Sequence, residues 1–268
     1  MKNPAFRLWN RMFPYVSSVA AGSDGVLYAS SLGQGVYRIG LNGDWKAMDE
    51  MWPEDVTVNR LICSGSEVTA CTNSGLLTYM NDTCWKAAEV AVPAYRLRQG
   101  ESGRLLAATE YGIWCNMGSG WFNWAYPDCI VYDILYLPGY VVIGCDRGIA
   151  YYDRLTGEWA EFALRTAVTS LAVFRGRLVG TCECGQLVYG NGRGGFNVCR
   201  FDGLFLVSVI QRGSDIFLCS DRGLFRLAEW QGRFMVLPVR LGFPVSDAAW
   251  IGDTMIVATL SRGIEFVR

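Results

Sequence analysis

The chain has 268 residues, with 24 Lys and Arg against 25 Asp and Glu, and it contains no His. Its length suits one large all-β domain or two ordinary domains, and its 51% hydrophobic content argues against disorder. The balanced charge excludes a general nucleic-acid binder, and the missing His excludes His-based catalysis and His-ligated metal sites.

The first predicted element is a strand at residues 5–9, which ends in an aromatic. The N-terminal segment has no long apolar run of the kind found in secretion signals, and no stretch approaches the ~20 apolar residues of a membrane span. We therefore expect a cytoplasmic protein whose ten Cys stay reduced.

From residue 16 onwards one pattern recurs. An apolar run ends in small residues, a polar turn follows, and a glycine then opens a second apolar run, with an aromatic about ten residues later. The recurring glycines are Gly35, Gly75, Gly112, Gly148, Gly185, Gly223 and Gly263. A further strand precedes each copy, beginning at Val16, Val58, Ala94, Val131, Val168, Leu206 and Val245.

Four strands per repeat at this period are typical of a β-propeller blade, so the sequence predicts a single all-β, seven-bladed β-propeller over residues 1–268. The seventh copy lacks a fourth strand. We expect the strand at 5–9 to supply the outer strand of the last blade, which would cover an exposed sheet edge and close the ring.

Two segments, 142–153 (VIGCDRGIAYYD) and 217–225 (FLCSDRGLF), resemble the short repeat of two-component-regulator-type propellers. Residues 27–45 look more like the BNR/sortilin-type repeat. The resemblance covers nearly the whole chain and implies a propeller of the sensor type. WD and kelch signatures are absent, and the catalytic His of the seven-bladed streptogramin-lyase family has no counterpart.

The third residue of each innermost strand is polar, and these strands would line the central channel. The seven residues are Ser18, Arg60, Arg96, Asp133, Ser170, Ser208 and Asp247. One interpretation is a channel whose charges cancel structurally. The other is a ligand site in which Arg60 and Arg96, on adjacent blades, bind an oxyanion beside Asp247, and Asp133 acts as a base if burial raises its pKa.

Loops expected at the same face add aromatic and charged residues. The candidates for ligand binding are Trp52, Tyr126, Arg147 and Arg222, and Tyr111 is a second catalytic candidate. The alternative is that these side chains are simply solvated.

Two further patterns favour structure over chemistry. The Cys182-Glu183-Cys184 pair could bind a soft metal, but no second Cys pair or His completes a site, so we expect no metal and no cofactor. The recurring aromatics, such as Trp85 and Trp159, favour packing between blades over one sugar site per blade.

Two function classes therefore stay open, with a lectin as a distant third. The favoured class is a binding or scaffold propeller that holds a small ligand or a protein partner on its loop-rich face. The alternative is a His-independent small-molecule enzyme, such as a lyase, isomerase or cyclase, with an Arg/Asp/Tyr site. We expect a monomer with no nucleic-acid or membrane partner.

Overall fold

The computed structural model describes residues 4–40, 42–65, 67–80 and 84–267. Their strands form seven antiparallel sheets, and each sheet is built from strands that follow one another in the chain. The sheets are the blades of a β-propeller, so the predicted all-β, seven-bladed fold is confirmed.

One helix, α1 (Pro4–Met12), precedes the strands. Blade 1 contains β1 (Val16–Ala21), β2 (Leu27–Ser31), β3 (Gly35–Ile39) and β4 (Trp45–Ala47). Blade 2 contains β5 (Val58–Ser64), β6 (Glu67–Thr72), β7 (Gly75–Met80) and β8 (Cys84–Ala87). Blade 3 contains β9 (Ala94–Gln99), β10 (Leu105–Thr109), β11 (Gly112–Asn116) and β12 (Trp121–Ala125), with a short 3-10 turn at Glu101–Gly103.

Blade 4 contains β13 (Val131–Tyr136), β14 (Tyr140–Cys145), β15 (Gly148–Asp153) and β16 (Trp159–Ala163). Blade 5 contains β17 (Val168–Phe174), β18 (Arg177–Cys182), β19 (Leu187–Gly190) and β20 (Phe196–Cys199). Blade 6 contains β21 (Leu206–Arg212), β22 (Asp215–Ser220), β23 (Gly223–Trp230) and β24 (Arg233–Leu241). Blade 7 contains β25 (Val245–Ile251), β26 (Thr254–Thr259) and β27 (Ile264–Val267).

The chain divides into two compact units, which we describe separately. Unit 1 comprises Met1–Ala94 and Phe243–Arg268 and holds α1 and blades 1, 2 and 7. Its apolar core has one cluster around Trp9 and Tyr37 and another around Trp85. Unit 2 comprises Tyr95–Gly242 and holds blades 4, 5 and 6 with nearly all of blade 3.

The prediction of a strand at 5–9 is wrong, because these residues lie in α1. Phe6 and Trp9, with Phe13 directly after the end of α1, follow the i, i+3, i+7 spacing of an apolar helix face, and Trp9 is fully buried. The pattern was missed because it continues beyond residue 9. Among the described residues, no helix is long and apolar enough to cross a membrane.

Helix α1 nevertheless covers the open edge of blade 7, whose sheet has three described strands. The Asn10 side chain accepts a hydrogen bond from Ile264 N at 2.9 Å and donates one to Ile264 O at 2.8 Å. One side-chain amide thus gives Ile264 the donor and acceptor that a neighbouring strand would offer. Phe6 packs edge-on against Phe266, with ring centroids 4.7 Å apart.

In blades 2, 3, 4 and 6 a close backbone approach requires the recurring glycine. At Gly75 (φ +128°), a Cβ atom would lie 2.0 Å from the carbonyl oxygen of Val90. At Gly223 (φ +151°), it would lie 2.1 Å from Arg240 O. The backbone at the end of the fourth strand (blade 6) or just beyond it (blade 2) therefore passes directly over the start of the third strand, where no side chain fits.

A hydroxyl holds the turn before this glycine in both units. The side chain at the end of the second strand donates to the carbonyl of the recurring glycine. These bonds join Thr72 to Gly75 at 2.7 Å, Thr109 to Gly112 at 2.8 Å, Ser220 to Gly223 at 2.9 Å and Thr259 to Gly263 at 2.9 Å. Blades 4 and 5 have Cys145 and Cys182 at this position.

Candidate functional site

The innermost strands share a bulge that orients their polar side chains. In blades 1, 2, 4, 5, 6 and 7, the pairing of the first strand with the second is irregular between its first and third residues. A bulge re-aims the side chain that follows it. The third residue is the polar position singled out in the sequence.

Third-residue side chains tie neighbouring blades together. In four cases the side chain accepts the backbone N–H of the fourth residue of the next innermost strand within the same unit. These bonds run from Leu61 N to Ser18 Oγ (3.0 Å), from Leu171 N to Asp133 (2.9 Å), from Val209 N to Ser170 Oγ (3.1 Å) and from Val19 N to Asp247 (3.1 Å). The third residue of the innermost strand therefore has a structural role, which is to link neighbouring blades.

Asp247 is the centre of a buried polar cluster in unit 1. Its carboxylate accepts bonds from Ser18 Oγ at 2.5 Å, Val19 N at 3.1 Å and Ala248 N at 2.8 Å. The half-buried Arg60 forms an ion pair with it at 2.6 Å. The carboxylate is fully buried, so these donors replace the water that it loses on folding.

Asp133 is the centre of the corresponding cluster in unit 2. It accepts bonds from Arg96 Nε at 3.0 Å and Nη2 at 3.2 Å, from Arg98 Nη2 at 3.1 Å, and from the amides of Ile134 and Leu171 at 2.8 and 2.9 Å. Burial raises the pKa of Asp133, but the charges of Arg96 and Arg98 and the Leu171 amide act against burial, and the pKa lies below its ordinary value.

This geometry corrects one expectation for the polar ring. The proposed role of Asp133 as a base required a raised pKa, and its pKa is lowered. Arg60 and Arg96, expected to bind an oxyanion together, each hold a buried carboxylate, Asp247 and Asp133 respectively. Anion binding by these arginines stays a prediction.

In unit 1, Trp52 lies half-buried in the loop between β4 and β5. Its ring packs edge-on against Trp85, with centroids 4.9 Å apart at 74°. The Trp52 amide donates to Asp49 O at 3.0 Å. Trp52 therefore stiffens this loop and keeps part of its ring at the surface.

In unit 2, the two candidate tyrosines differ in exposure. Tyr111 occupies the turn between β10 and β11 and is 52% exposed. Tyr126 donates its hydroxyl to Glu161 at 2.8 Å and packs edge-on against Trp159 at 4.7 Å. Burial, together with the Glu161 carboxylate, raises the pKa of Tyr126.

The two candidate loop arginines are exposed and lie in different turns of unit 2. Arg147 donates to Asp128 O at 3.0 Å, and Gly112, which follows Tyr111, donates its amide to Cys129 O at 2.9 Å. Tyr111 and Arg147 therefore both lie beside segment 126–129, which contains Tyr126. Arg222 lies instead over Gly203, where an added Cβ would be 3.3 Å from Nη1.

The sequence interpretation missed two groups. Arg98 shares a strand face with Arg96, as the two-residue period of a β-strand could have indicated. Cys129, Cys145 and Asp146 also meet, with their ligand atoms all within 4.8 Å of one another. Val131 pairs with Cys145, and this pairing places Cys129, two residues before Val131, near Cys145. The length of the hairpin alone could have suggested this register.

The recurring aromatics pack inside the propeller, as the sequence favoured. Trp85 is buried in the core cluster that blades 1 and 2 share, and its Nε1 donates to Met48 O at 2.6 Å. Trp159 packs against Trp124, with centroids 5.8 Å apart. These rings contribute apolar burial.

No family model and no curated protein matches this sequence. Solved propeller structures do match it. A catalytically inactive His-to-Ala variant of virginiamycin B lyase from Staphylococcus aureus, with quinupristin, has a TM-score of 0.73 and 12% identity over 95% of each chain. The extracellular domain of a hybrid two-component system from B. thetaiotaomicron has a TM-score of 0.74 and 14% identity over 94% of this chain and 40% of that chain.

A third match is a chain of the mitotic checkpoint complex, with a TM-score of 0.70 and 15% identity over 95% of this chain and 87% of that chain. At these identities the likeness establishes the fold, and the functions of the three proteins differ. The resemblance to two-component-system propellers is confirmed at the level of fold. Because one neighbour is an extracellular domain, the cytoplasmic location stays a prediction.

Proposed function

We propose that the protein is a binding propeller that holds a protein partner through the loop 48–57, which we call the acidic loop. The observation that carries the proposal is Met51, which is 75% exposed at positive φ (59°). Four exposed acidic residues flank it in the chain, namely Asp49, Glu50, Glu54 and Asp55.

The acidic loop is held by hydrogen bonds at both ends. Trp85 donates its amide to Glu50 O at 3.2 Å and its indole N–H to Met48 O at 2.6 Å. Asn73 donates its side chain to Asp55 O at 3.2 Å. A loop that is already ordered loses little conformational entropy when a partner binds, which favours affinity.

The chemistry of the acidic loop defines the partner. A methionine side chain is flexible and polarizable, so it adapts to apolar surfaces of different shapes. The flanking carboxylates favour a partner with Lys or Arg around an apolar residue, and they would speed its association at low salt. The occupant proposed is thus a basic, partly apolar protein surface.

The buried carboxylates favour binding over catalysis. A general base needs a lone pair directed at the substrate proton. Asp133 and Asp247 instead direct their oxygens at arginines, backbone amides and the Ser18 hydroxyl. Both acids thus stabilise the inner strands, and the loops are left to recognise a ligand.

The enzyme alternative rests on a separate observation, the match to virginiamycin B lyase over 95% of both chains. The inactive variant of that lyase replaces a His, and this chain contains none. A His-independent reaction would fall to Tyr111, the exposed candidate. Incubating a metabolite extract with the protein and with Tyr111→Phe, followed by mass spectrometry, tests this alternative.

The test of the binding proposal selects peptides from a random display library on the intact protein. We expect the enriched peptides to combine Lys or Arg with an apolar residue. Met51→Ser should weaken the binding of a selected peptide about tenfold, as truncation of a central contact does. The matched control is Met117→Ser, which removes a 56% exposed methionine from unit 2.

Added salt should weaken binding, because the carboxylates are exposed. Peptides without a basic bias would contradict the proposal. So would equal affinity of Met51→Ser and the unchanged protein for the selected peptide.

A further inference from the structure

Three side chains of unit 2 form a cluster with metal-binding chemistry. Cys129 Sγ, Cys145 Sγ and a carboxylate oxygen of Asp146 all lie within 4.8 Å of one another. In a tetrahedral zinc site, bond lengths of about 2.0–2.3 Å put ligand atoms about 3.3–3.8 Å apart. Small side-chain movements, including a widening of the 2.6 Å separation between Cys129 Sγ and Asp146 Oδ1, would therefore enclose a zinc ion.

The three groups already interact. The Cys129 thiol donates to Asp146 Oδ1 and contacts Cys145. Both cysteines are buried and Asp146 is exposed, so the cluster has an apolar inner side and an open outer side. An ion could enter past Asp146 and replace the Cys129 thiol proton that is now donated to the Asp146 carboxylate.

The backbone holds the ligands in place. Cys129 donates its amide to Tyr126 O at 3.1 Å and accepts from Gly112 N at 2.9 Å. Asp146 donates its amide to Ile130 O at 3.0 Å. Binding would thus require side-chain adjustment without refolding of a loop, which lowers the cost of forming the site.

A comparison with blade 5 isolates the special feature of blade 4. Cys182 occupies the position of Cys145, next to Glu183. Thr166 stands two residues before β17, where Cys129 stands two residues before β13. Blade 5 therefore has one thiol and one carboxylate at these positions and serves as a control within the same chain.

We propose that Cys129, Cys145 and Asp146 bind one Zn²⁺ ion at the end of blade 4. Two sulfurs and one oxygen suit zinc, whereas Mg²⁺ and Ca²⁺ prefer oxygen ligands throughout. Three protein ligands leave a fourth position for water or for a donor atom of a ligand. The sequence predicts no metal site, because no second Cys pair and no His accompanies Cys182 and Cys184. This site is independent of the acidic loop.

The experiment uses the reduced, full-length protein under anaerobic conditions, with Zn²⁺ added against a chromophoric chelator and Co²⁺ as a spectroscopic probe. We expect one equivalent of Zn²⁺ and a sulfur-to-cobalt charge-transfer band. Cys129→Ser and Cys145→Ser should each weaken Zn²⁺ binding by at least about tenfold and reduce the band. Cys182→Ser, the matched thiol control, should bind as the unchanged protein does.

Alkylation of the unchanged protein provides a readout that does not depend on the folding of the variants. Zn²⁺ should slow the modification of Cys129 and Cys145 and leave that of the exposed Cys184 unchanged. The proposal is overturned if Zn²⁺ protects other cysteines, or if Cys129→Ser binds Zn²⁺ with unchanged affinity. A protein that binds no Zn²⁺ and only forms a Cys129–Cys145 disulfide would also overturn it.

Discussion

The two buried carboxylates, Asp247 in unit 1 and Asp133 in unit 2, occupy the same position of the repeat and differ in their charged partners. Each accepts the amide of its own next residue and the amide of the fourth residue of the following innermost strand. Asp247 adds one arginine and a serine hydroxyl, whereas Asp133 adds two arginines.

The comparison separates what the fold supplies from what the side chains supply. The backbone donors are the same in both units, because the blade geometry presents them at this position. Only the side-chain partners vary, namely one arginine and one serine for Asp247 and two arginines for Asp133. In the Asp133 cluster, one of the two arginines, Arg98, has a side chain that is 35% exposed.

The largest expected effect is the loss of the carboxylate itself. Asp133→Ala should lower the free energy of unfolding by about 3–5 kcal/mol, because two arginines and two backbone amides lose their acceptor. Asp247→Ala should cost less, since one arginine is left without its carboxylate. Urea titration of both variants measures the difference. Equal losses would show that the backbone amides dominate and that the second arginine adds nothing.

Removing an arginine instead of the carboxylate should reverse this order, so that the loss in the free energy of unfolding is larger in unit 1 than in unit 2. Arg60→Ala should cost about 3 kcal/mol, because it takes away the arginine that pairs with the fully buried Asp247. Arg98→Ala should cost about 1 kcal/mol, because Arg98 is partly exposed and Arg96 stays paired with Asp133. A loss at Arg98→Ala as large as at Arg60→Ala would contradict this assignment.

Acid should reduce the stability that the Asp133 cluster provides, because the pKa of Asp133 is lowered in the folded protein. A carboxylate with a pKa below its unfolded value of about 3.9 stabilises the fold above that pH, and the contribution disappears as the pH falls through the folded pKa. Asp133→Asn should thus narrow the stability difference between pH 7 and pH 3, measured by urea titration. A difference as large as that of the unchanged protein would contradict the prediction.

The smallest expected effects concern the serines at the same repeat position. Ser18→Ala should cost about 1–2 kcal/mol, because Ser18 donates to Asp247 and accepts from Leu61 N. Ser170→Ala should cost about 1 kcal/mol, because Ser170 bonds only to the backbone of Val209 in the contacts that the structure describes. Thermal melts of the two variants decide the order. If Ser170→Ala costs more, the hydrogen bond from Ser18 to Asp247 adds nothing to the stability of unit 1.

Much of the fold could be predicted because its signals are local. In blades 2, 3, 4 and 6 the recurring glycine is required by a backbone contact within the blade, and Gly75 illustrates this. The polar third residue of each innermost strand is equally visible in the sequence, because it recurs at the same position of the repeat. Helix α1 was missed because its apolar spacing emerges only when Phe13 is counted with Phe6 and Trp9.

Less of the candidate site could be predicted. Asp133, Arg96 and Asp247 were recognised as polar positions facing inward, but their partners depend on contacts between blades. Met51 gave no signal in the sequence, because its exposure results from the hydrogen bonds that hold the acidic loop.

The sequence by itself determined the number of blades, the order of their strands and the positions that carry polar side chains, because these follow from steric and periodic rules acting within about 40 residues. Only the tertiary structure decided which charges pair. Arg60 and Asp247 lie far apart in the chain and meet within unit 1. The pKa of Asp133 depends likewise on burial and on arginines from another blade. Electrostatic energy depends on distance and solvent exposure, which the order of residues alone does not specify.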